Sequence, residues 1–95
     1  MTKNPVRIDF SKSFDKQLRK APVKIKIAFR KRLSLFLRYQ HHPLLNNHSL
    51  IGKLTGLRSI NITGDWRAIY SIEMKKNKEY TVLFEMLGTH SQLYK

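Results

Sequence analysis

The spacing of the apolar residues changes near the middle of the chain, and this change restricts the possible folds more than any other feature. Between Pro22 and Tyr39 the apolar residues recur at helical spacing, at Ile25, Ala28, Phe29, Leu33 and Phe36. From Leu57 onward apolar and polar residues alternate, as they do in strands that bury one face. Helices followed by a run of strands are typical of α+β proteins, in which the helices pack on one face of an antiparallel sheet. We therefore predict an α+β fold.

Turn-forming and helix-capping residues divide the 95 residues into the elements of a single domain, residues 1–95. Ser11 is suited to cap a short helix, and Pro22 is suited to open a longer one. The expected order is a strand over 6–10, a helical hairpin over 11–39, a loop over 40–47, and an antiparallel meander with strands over 57–62, 66–72 and 80–87. The turn 63–65 joins the first two meander strands, Gly88 ends the last strand, and residues 90–94 form a terminal hook.

The chain is strongly basic, and its charge is unevenly distributed. It carries 19 Lys and Arg against 6 Asp and Glu, a net charge of +13, and residues 1–47 hold 12 basic and 2 acidic residues. The longer predicted helix contributes six cations and no acidic residue: Lys24, Lys26, Arg30, Lys31, Arg32 and Arg38. Such a surface favours nucleic acid as a partner, with an acidic protein as the second candidate. At this point the helix remains a platform for RNA, a platform for an acidic partner, or a solvated face.

Cysteine is absent, so disulfides and thiolate metal sites are excluded. The first ten residues lack the apolar run of a signal peptide, and no segment is long enough to span a membrane, so we expect a cytoplasmic protein with no membrane contact. His41, His42 and His48 lie without nearby carboxylate ligands, and we expect no metal and no cofactor.

Three segments resemble the RelE/ParE superfamily of bacterial toxins, and together with the preceding strand and helices they cover nearly the whole chain. The segments are residues 48–58 (HSLIGKLTGLR), 64–70 (GDWRAIY) and 87–94 (LGTHSQLY). The last segment is similar to the YafQ branch in particular. The resemblance implies a toxin of a type II toxin–antitoxin system that enters the ribosomal A site, cuts messenger RNA and is masked by an acidic antitoxin. The superfamily also includes DNA gyrase poisons of the same fold, so the fold alone does not choose the activity.

The same resemblance indicates three residues for proton transfer. Cleavage of RNA without a metal needs a base for the 2′-hydroxyl, an acid for the departing 5′-oxygen, and positive charge near the phosphate. By position, His48 is the candidate base and His90 the candidate acid, although the two roles could be exchanged. Asp65 orients a histidine or serves as an alternative base.

Five further residues are candidates for substrate binding. Arg58 and Arg67 have apolar neighbours on alternating strands and are expected to face away from the core, with Arg67 at the scissile phosphate. Tyr94 is expected to stack on RNA or bond to it, and Lys53 to contact a phosphate. Trp66 is able to stack on a base, but we expect most of its area to lie in the core.

Three positions depart from the YafQ pattern. Asn61 stands where the family has an additional histidine, Ser59 where it has an acidic residue, and Met86 where it has a basic residue. Asparagine does not transfer protons and methionine does not neutralise phosphate. Three functions therefore stay open: a ribosome-dependent endoribonuclease, a gyrase inhibitor, and a catalytically inactive RNA- or partner-binding relative.

Overall fold

A computed structural model of the protein describes residues 4–5 and 7–94. Its elements in chain order are β1 (Arg7–Phe10), α1 (Lys12–Lys20), α2 (Val23–Arg38), β2 (His48–Ser49), β3 (Arg58–Asn61), β4 (Trp66–Met74), β5 (Tyr80–Thr89) and α3 (His90–Leu93). Two short 3₁₀ turns, Pro43–Leu45 and Gly52–Leu54, flank β2. The predicted strand, helical hairpin and meander are all present. Val6, the expected first residue of β1, lies outside the described residues.

The five strands form one mixed sheet in the order β1-β5-β4-β3-β2. β1 pairs with β5 in parallel, and the remaining neighbours are antiparallel. The α+β fold is thus confirmed, with β2 as an additional edge strand that the sequence pattern did not indicate. The expected stop at Gly88 is wrong, because Gly88 and Thr89 still pair with β4 and the strand ends only where Thr89 caps α3.

Ser11 begins α1 and ties that helix to the sheet. Its side-chain oxygen accepts from the backbone N–H of Phe14 at 3.0 Å, as expected of a helix cap, and donates to the carbonyl of Glu85 at 2.8 Å. The backbone N–H of Ser11 also donates to the carbonyl of Phe84. The first helix is therefore fixed to β5 at its first turn.

Aromatic rings fill the space between the helices and the sheet. Phe14 and Phe29 from the helices meet Phe84 of β5 at centroid distances of 5.6 Å each, and Phe36 contacts Tyr70 of β4 at 5.1 Å. All five side chains are buried. Tilted and edge-on ring pairs at these distances add to the stabilisation from area burial.

A β-bulge in β5 changes the alternation of its side chains. Ile69 pairs with Met86 whereas Tyr70 pairs with Phe84, which leaves Glu85 without a partner on β4. Because of this extra residue, Phe84 and Leu87 both reach the core, and Met86 is displaced to the opposite face. The backbone N–H of Leu87 donates instead to the side chain of Gln17 at 2.7 Å, so α1 satisfies a donor near the bulge.

Candidate active-site cleft

The two faces of the sheet have different surroundings. Helices α1 and α2 cover the face that carries Tyr70 and Phe84, which we call the helix face. Since successive side chains of a strand point to opposite faces, their neighbours lie on the other side, the cleft face. Two cross-strand rows cross the cleft face: His48, Ser59, Ile69 and Met86 in one, and Asn61, Arg67 and Gly88 in the other.

A cleft of about 370 Å³ lies at the edge of this face, between the residues around β2 and the residues that follow β5. Its lining comprises Asn46, His48, Leu50, Ile51, Arg67, His90 and Tyr94. Four of these, His48, Arg67, His90 and Tyr94, were expected at the site from the sequence. Residues separated by more than 40 positions are thus brought to one concave surface.

Asn47 fixes the loop that presents His48. Its side-chain amide donates to the carbonyl of Gln40 at 3.0 Å and to the hydroxyl of Tyr70 at 2.8 Å, and its oxygen accepts from Arg58 Nε at 2.9 Å. These bonds join the loop to β3 and to the core. Burial raises the pKa of Tyr70, so its hydroxyl stays protonated and donates back to Asn47.

The neighbouring residue, Asn46, determines which nitrogen of His48 is available. Asn46 adopts the left-handed conformation (φ 44°, ψ 47°), which asparagine tolerates better than most residues. Its carbonyl oxygen lies 2.8 Å from His48 Nδ1. A carbonyl can only accept, so in the neutral imidazole the proton lies on Nδ1 and the lone pair that a general base needs lies on Nε2.

His90 is held by backbone contacts at the start of α3. Its N–H donates to the carbonyl of Asp65 at 3.0 Å, and its ring lies 4.6 Å from the ring of Tyr94. Thr89 and Gln92 close a reciprocal capping box on the same turn. A Cβ at Gly88 would come within 3.0 Å of the Gln92 side chain, so glycine lets the terminal turn pack closely on β5.

Arg67 supplies the positive charge of the cleft. One terminal nitrogen of its guanidinium, Nη1, donates to the carbonyls of Thr63, Gly64 and Trp66 at 3.0–3.2 Å. These carbonyls belong to the β3–β4 turn and the first residue of β4, so they fix the guanidinium of a residue that lines the cleft together with His48 and His90. Ion pairing does not neutralise the guanidinium, since Arg7–Asp9 forms the only salt bridge among residues 4–5 and 7–94.

The structure does not bring the other expected residues into the cleft. Asp65 contacts His90 through its backbone carbonyl, and its carboxylate is exposed. Arg58 pairs with Tyr70 on the helix face and is bonded to Asn47, so its expected orientation away from the core is wrong. Trp66 is half-buried against the core, as expected, and lines a separate cavity beside α1. Lys53 lies in an adjoining hollow that shares Ile51 and Tyr94 with the cleft.

Sequence reasoning missed the contributions of Asn46, Leu50 and Ile51. In the sequence, the paired asparagines before His48 indicate a loop, and the only further signal they carry is that asparagine tolerates the left-handed conformation. Ile51 is 89% exposed at the edge of the cleft. No pattern in the sequence pointed to this isolated side chain.

The three departures from the YafQ pattern lie together on the cleft face. Ser59 is fully buried in the row of His48, Met86 ends that row, and Asn61 pairs with Arg67. The Ser59 hydroxyl and the Asn61 side-chain oxygen are buried and have no hydrogen-bond partner. Buried polar groups without partners are rare in proteins, so these two atoms call for an explanation.

Within the described part of the chain, no group of three or more His, Cys, Asp or Glu side chains could hold a metal ion. The same residues contain no helix that is long and apolar enough to cross a membrane.

Solved structures of bacterial toxins are similar to this one. The structure is similar to YafQ of E. coli strain BL21(DE3), with a TM-score of 0.76, 22% identity, and coverage of 93% of this chain and 97% of that chain. It is also similar to the E. coli DinJ–YafQ toxin–antitoxin complex, with a TM-score of 0.72, 23% identity and coverage of 93% and 96%. A metal-bound toxin from Helicobacter pylori matches with a TM-score of 0.62, 27% identity and coverage of 93% and 98%.

No curated protein sequence matches the chain. The sequence model of a family described as the YafQ bacterial toxin of type II toxin–antitoxin systems matches residues 6–95. This chain therefore belongs to the YafQ family of type II toxins.

Proposed function

We propose that this toxin is a metal-independent endoribonuclease that cuts messenger RNA in the ribosomal A site and so inhibits translation in the cytoplasm. The observation that carries the proposal is the convergence of His48, Arg67, His90 and Tyr94 on one cleft. Two histidines and an arginine are the groups that RNA cleavage without a metal requires.

The chemistry follows from the position of each group. His48 Nε2 removes the proton from the 2′-hydroxyl, and the resulting oxyanion attacks the adjacent phosphorus. His90, in its protonated form, gives a proton to the departing 5′-oxygen as the P–O bond breaks. Arg67 stabilises the negative charge that develops on the phosphate oxygens. The products are a 2′,3′-cyclic phosphate and a 5′-hydroxyl, so no water or metal enters this step.

Tyr94 and Lys53 are proposed to position the RNA. Tyr94 presents an aromatic ring beside His90, where a base could stack. Lys53 is exposed next to the cleft and suits a flanking phosphate. Arg58 and Trp66 are left out of the proposed site because they lie on the helix face.

The experiment is messenger cleavage on translating ribosomes by the wild type, His48→Gln and His90→Gln. Each variant should lose about a hundred- to ten-thousand-fold in cleavage rate, because general acid–base catalysis contributes about that much. His41→Gln is the matched control, since His41 is exposed and lies outside the cleft. Circular dichroism should show that all four proteins are folded. Treating the purified wild-type toxin with EDTA and dialysing it before the assay should leave its cleavage rate unchanged.

Each rival function predicts a different result. Full cleavage by a folded His90→Gln protein would remove His90 from the mechanism. Inhibition of gyrase supercoiling by the wild type without messenger cleavage would favour the gyrase inhibitor. Ribosome or RNA binding without cleavage would favour the inactive relative, for which Asn61 and Met86 on the cleft face are the supporting observations.

We further propose that an acidic antitoxin neutralises this chain. The support is the net charge of +13 and the similarity to the toxin of the DinJ–YafQ complex. Co-expression with a small acidic protein encoded beside it should yield a complex that forms faster at low salt. Recovery of only the free toxin would contradict this partner.

A further inference from the structure

A hollow of about 350 Å³ lies beside the carboxyl-terminal end of α1, on the helix face of the sheet. Three elements line it: α1 contributes Gln17 and Lys20, β4 contributes Trp66, and α3 contributes Gln92 and Leu93. Arg67, the next residue of β4, points to the opposite face and lines the cleft. The hollow is therefore separate from the proposed active site.

A series of concave surfaces nevertheless connects the hollow with the cleft around α3. Leu93 lines both this hollow and the one beside Lys53. That second hollow shares Ile51 and Tyr94 with the cleft. An extended ligand that lies in the cleft thus has a continuous path along the end of the sheet to Trp66.

Both glutamines of the hollow have an occupied oxygen and a free nitrogen. Gln17 Oε1 accepts from the backbone N–H of Leu87 at 2.7 Å, and Gln92 Oε1 accepts from that of Thr89 at 2.8 Å. Neither Nε2 donates to any described residue. Because a backbone N–H needs an acceptor, these bonds fix which end of each amide is occupied. Only the NH₂ group of each side chain is left for a ligand.

An indole and an ammonium group complete the set. Trp66 is half-buried against the core, and its remaining surface is accessible. Its Nε1 is not among the buried polar atoms and has no hydrogen-bond partner in the described part of the chain. Lys20 is exposed, with no carboxylate of a described residue within salt-bridge distance. The free side-chain polar groups of the hollow are therefore all donors, and its described lining contains no acidic residue.

A flat ligand with several acceptors and a negative charge matches this set. A nucleotide has these properties, because its base carries carbonyl oxygens and ring nitrogens that accept from N–H groups. The π face of the base packs against aromatic side chains, and the phosphate forms strong charge-assisted bonds with an ammonium group. The volume lies at the lower end of the range of roughly 300–1,000 Å³ found for ligand pockets, which suits a single nucleotide.

We propose that this hollow binds one nucleotide, with the base against Trp66, base oxygens accepting from Gln17 and Gln92, and the phosphate beside Lys20. The inference rests on the proposed function for the origin of the ligand, which is then a nucleotide of the messenger that flanks the scissile bond. Uracil suits the donors best because it has two carbonyl oxygens and no amino group. Adenine suits them least, since it has an amino group and no carbonyl.

The test uses the fluorescence of Trp66, which is the only tryptophan of the chain. The intact toxin is titrated with uridine 5′-monophosphate, adenosine 5′-monophosphate and inorganic phosphate. The uridine nucleotide should change the fluorescence in a saturable manner and bind about tenfold more tightly than the adenosine nucleotide. Inorganic phosphate at the same concentration should produce no change.

A second titration identifies the source of the nucleotide. Its probe is a short uridine-rich RNA with methylated 2′-hydroxyls, which the proposed chemistry cannot cut. This RNA should bind more tightly than the free nucleotide, because it occupies the cleft and the hollow together. Binding of the free nucleotide without any response to the RNA would assign the hollow to free nucleotides and overturn the messenger as the source.

Two pairs of variants locate the binding. Gln92→Glu retains the oxygens that close the capping box and loses only the free NH₂ group, so it should weaken uridine nucleotide binding about tenfold. Ser91→Glu, an equal change of charge at an exposed neighbour outside the hollow, should have little effect. Lys20→Gln should also weaken binding, whereas Arg19→Gln, on a side of α1 outside the hollow, should change little.

The proposal is overturned if the uridine nucleotide gives no saturable change, if inorganic phosphate alone reproduces the change, or if Gln92→Glu and Ser91→Glu weaken binding equally. None of these measurements depends on cleavage. A toxin that binds the nucleotide beside Trp66 and cuts no messenger would refute the proposed activity and leave the nucleotide site standing. A toxin that cuts messenger but binds no nucleotide there would do the reverse.

Discussion

The helix face of the sheet buries its side chains more completely than the cleft face, and the two faces also treat polar groups differently. On the helix face, Tyr70 and Phe84 pack among aromatic rings, and the hydroxyl of Tyr70 is bonded to Asn47. On the cleft face, Ser59 is equally buried, yet its hydroxyl lacks a partner, as does the side-chain oxygen of Asn61. The helix face is thus organised for stability. The cleft face retains unpaired polar groups beside its histidines, at a cost in stability that sites of function commonly carry.

The largest expected effect on stability tests the helix face. Phe84→Ala should lower the free energy of unfolding by about 3–5 kcal/mol, because it removes the ring that Phe14, Phe29, Phe36 and Tyr70 all contact. Urea unfolding measures the loss. Met74→Ala, an exposed side chain on β4, is the control. A loss below about 1 kcal/mol would contradict the aromatic core as the main source of stability.

The next effect tests the cleft face. Arg67→Gln should slow messenger cleavage about a hundred- to a thousandfold, the range seen when a group that stabilises transition-state charge is removed. Its cost in stability should be much smaller than that of Phe84→Ala. Arg30→Gln, an exposed cation outside the cleft, controls for the change in net charge. Equal cleavage rates for the two variants would show that Arg67 acts only through the net charge of the protein.

The difference between local patterns and contacts with distant residues explains how much of the fold the sequence could predict. Helical and alternating spacings identified α1, α2 and the long strands, since each follows from local burial of one face. The bulge at Glu85 and the edge strand at His48–Ser49 were not predicted, because they depend on pairing with distant residues. The orientation of Arg58 failed for a related reason: its polarity suggested solvent, whereas Asn47 supplies it with a partner on the helix face.

The cleft was predictable only in part. The resemblance to the toxin family located His48, Arg67, His90 and Tyr94, but it could not show which atoms of Asp65 are used. The protonated nitrogen of His48 depends on the left-handed backbone at Asn46, a feature of three-dimensional structure rather than of residue type.

An intermediate effect concerns the bond between the core and the histidine loop. Tyr70→Phe should cost about 1–2 kcal/mol, since Asn47 loses a hydrogen-bond partner. Burial raises the pKa of Tyr70 above its ordinary value of 10.0. The unfolded chain therefore releases this proton more readily than the folded chain, and the stabilisation present below pH 10 should be lost as the pH rises through the raised value.

Denaturation of the wild type and Tyr70→Phe between pH 8 and pH 11 measures this contribution. The wild type should lose more stability over this range than the variant, which lacks the ionising group. Tyr39→Phe is the control, because Tyr39 is 63% exposed. Parallel pH curves for wild type and Tyr70→Phe would contradict the role of burial.

The smallest expected effect compares adjacent residues of β3 that point to opposite faces. Ile60 and Ser59 are both fully buried, Ile60 in the core and Ser59 on the cleft face. Ile60→Val should cost about 0.5–1.5 kcal/mol through lost packing. Ser59→Ala removes a hydroxyl that has no partner, so it should be neutral or stabilise the fold by up to about 1 kcal/mol. The midpoints of urea unfolding, compared at an unchanged m-value, measure both changes in stability.

A loss for Ser59→Ala as large as that for Ile60→Val would mean that the Ser59 hydroxyl has a hydrogen-bond partner in solution. The two faces would then not differ in how they treat buried polar groups, and only Asn61 would remain to distinguish the cleft face from the core.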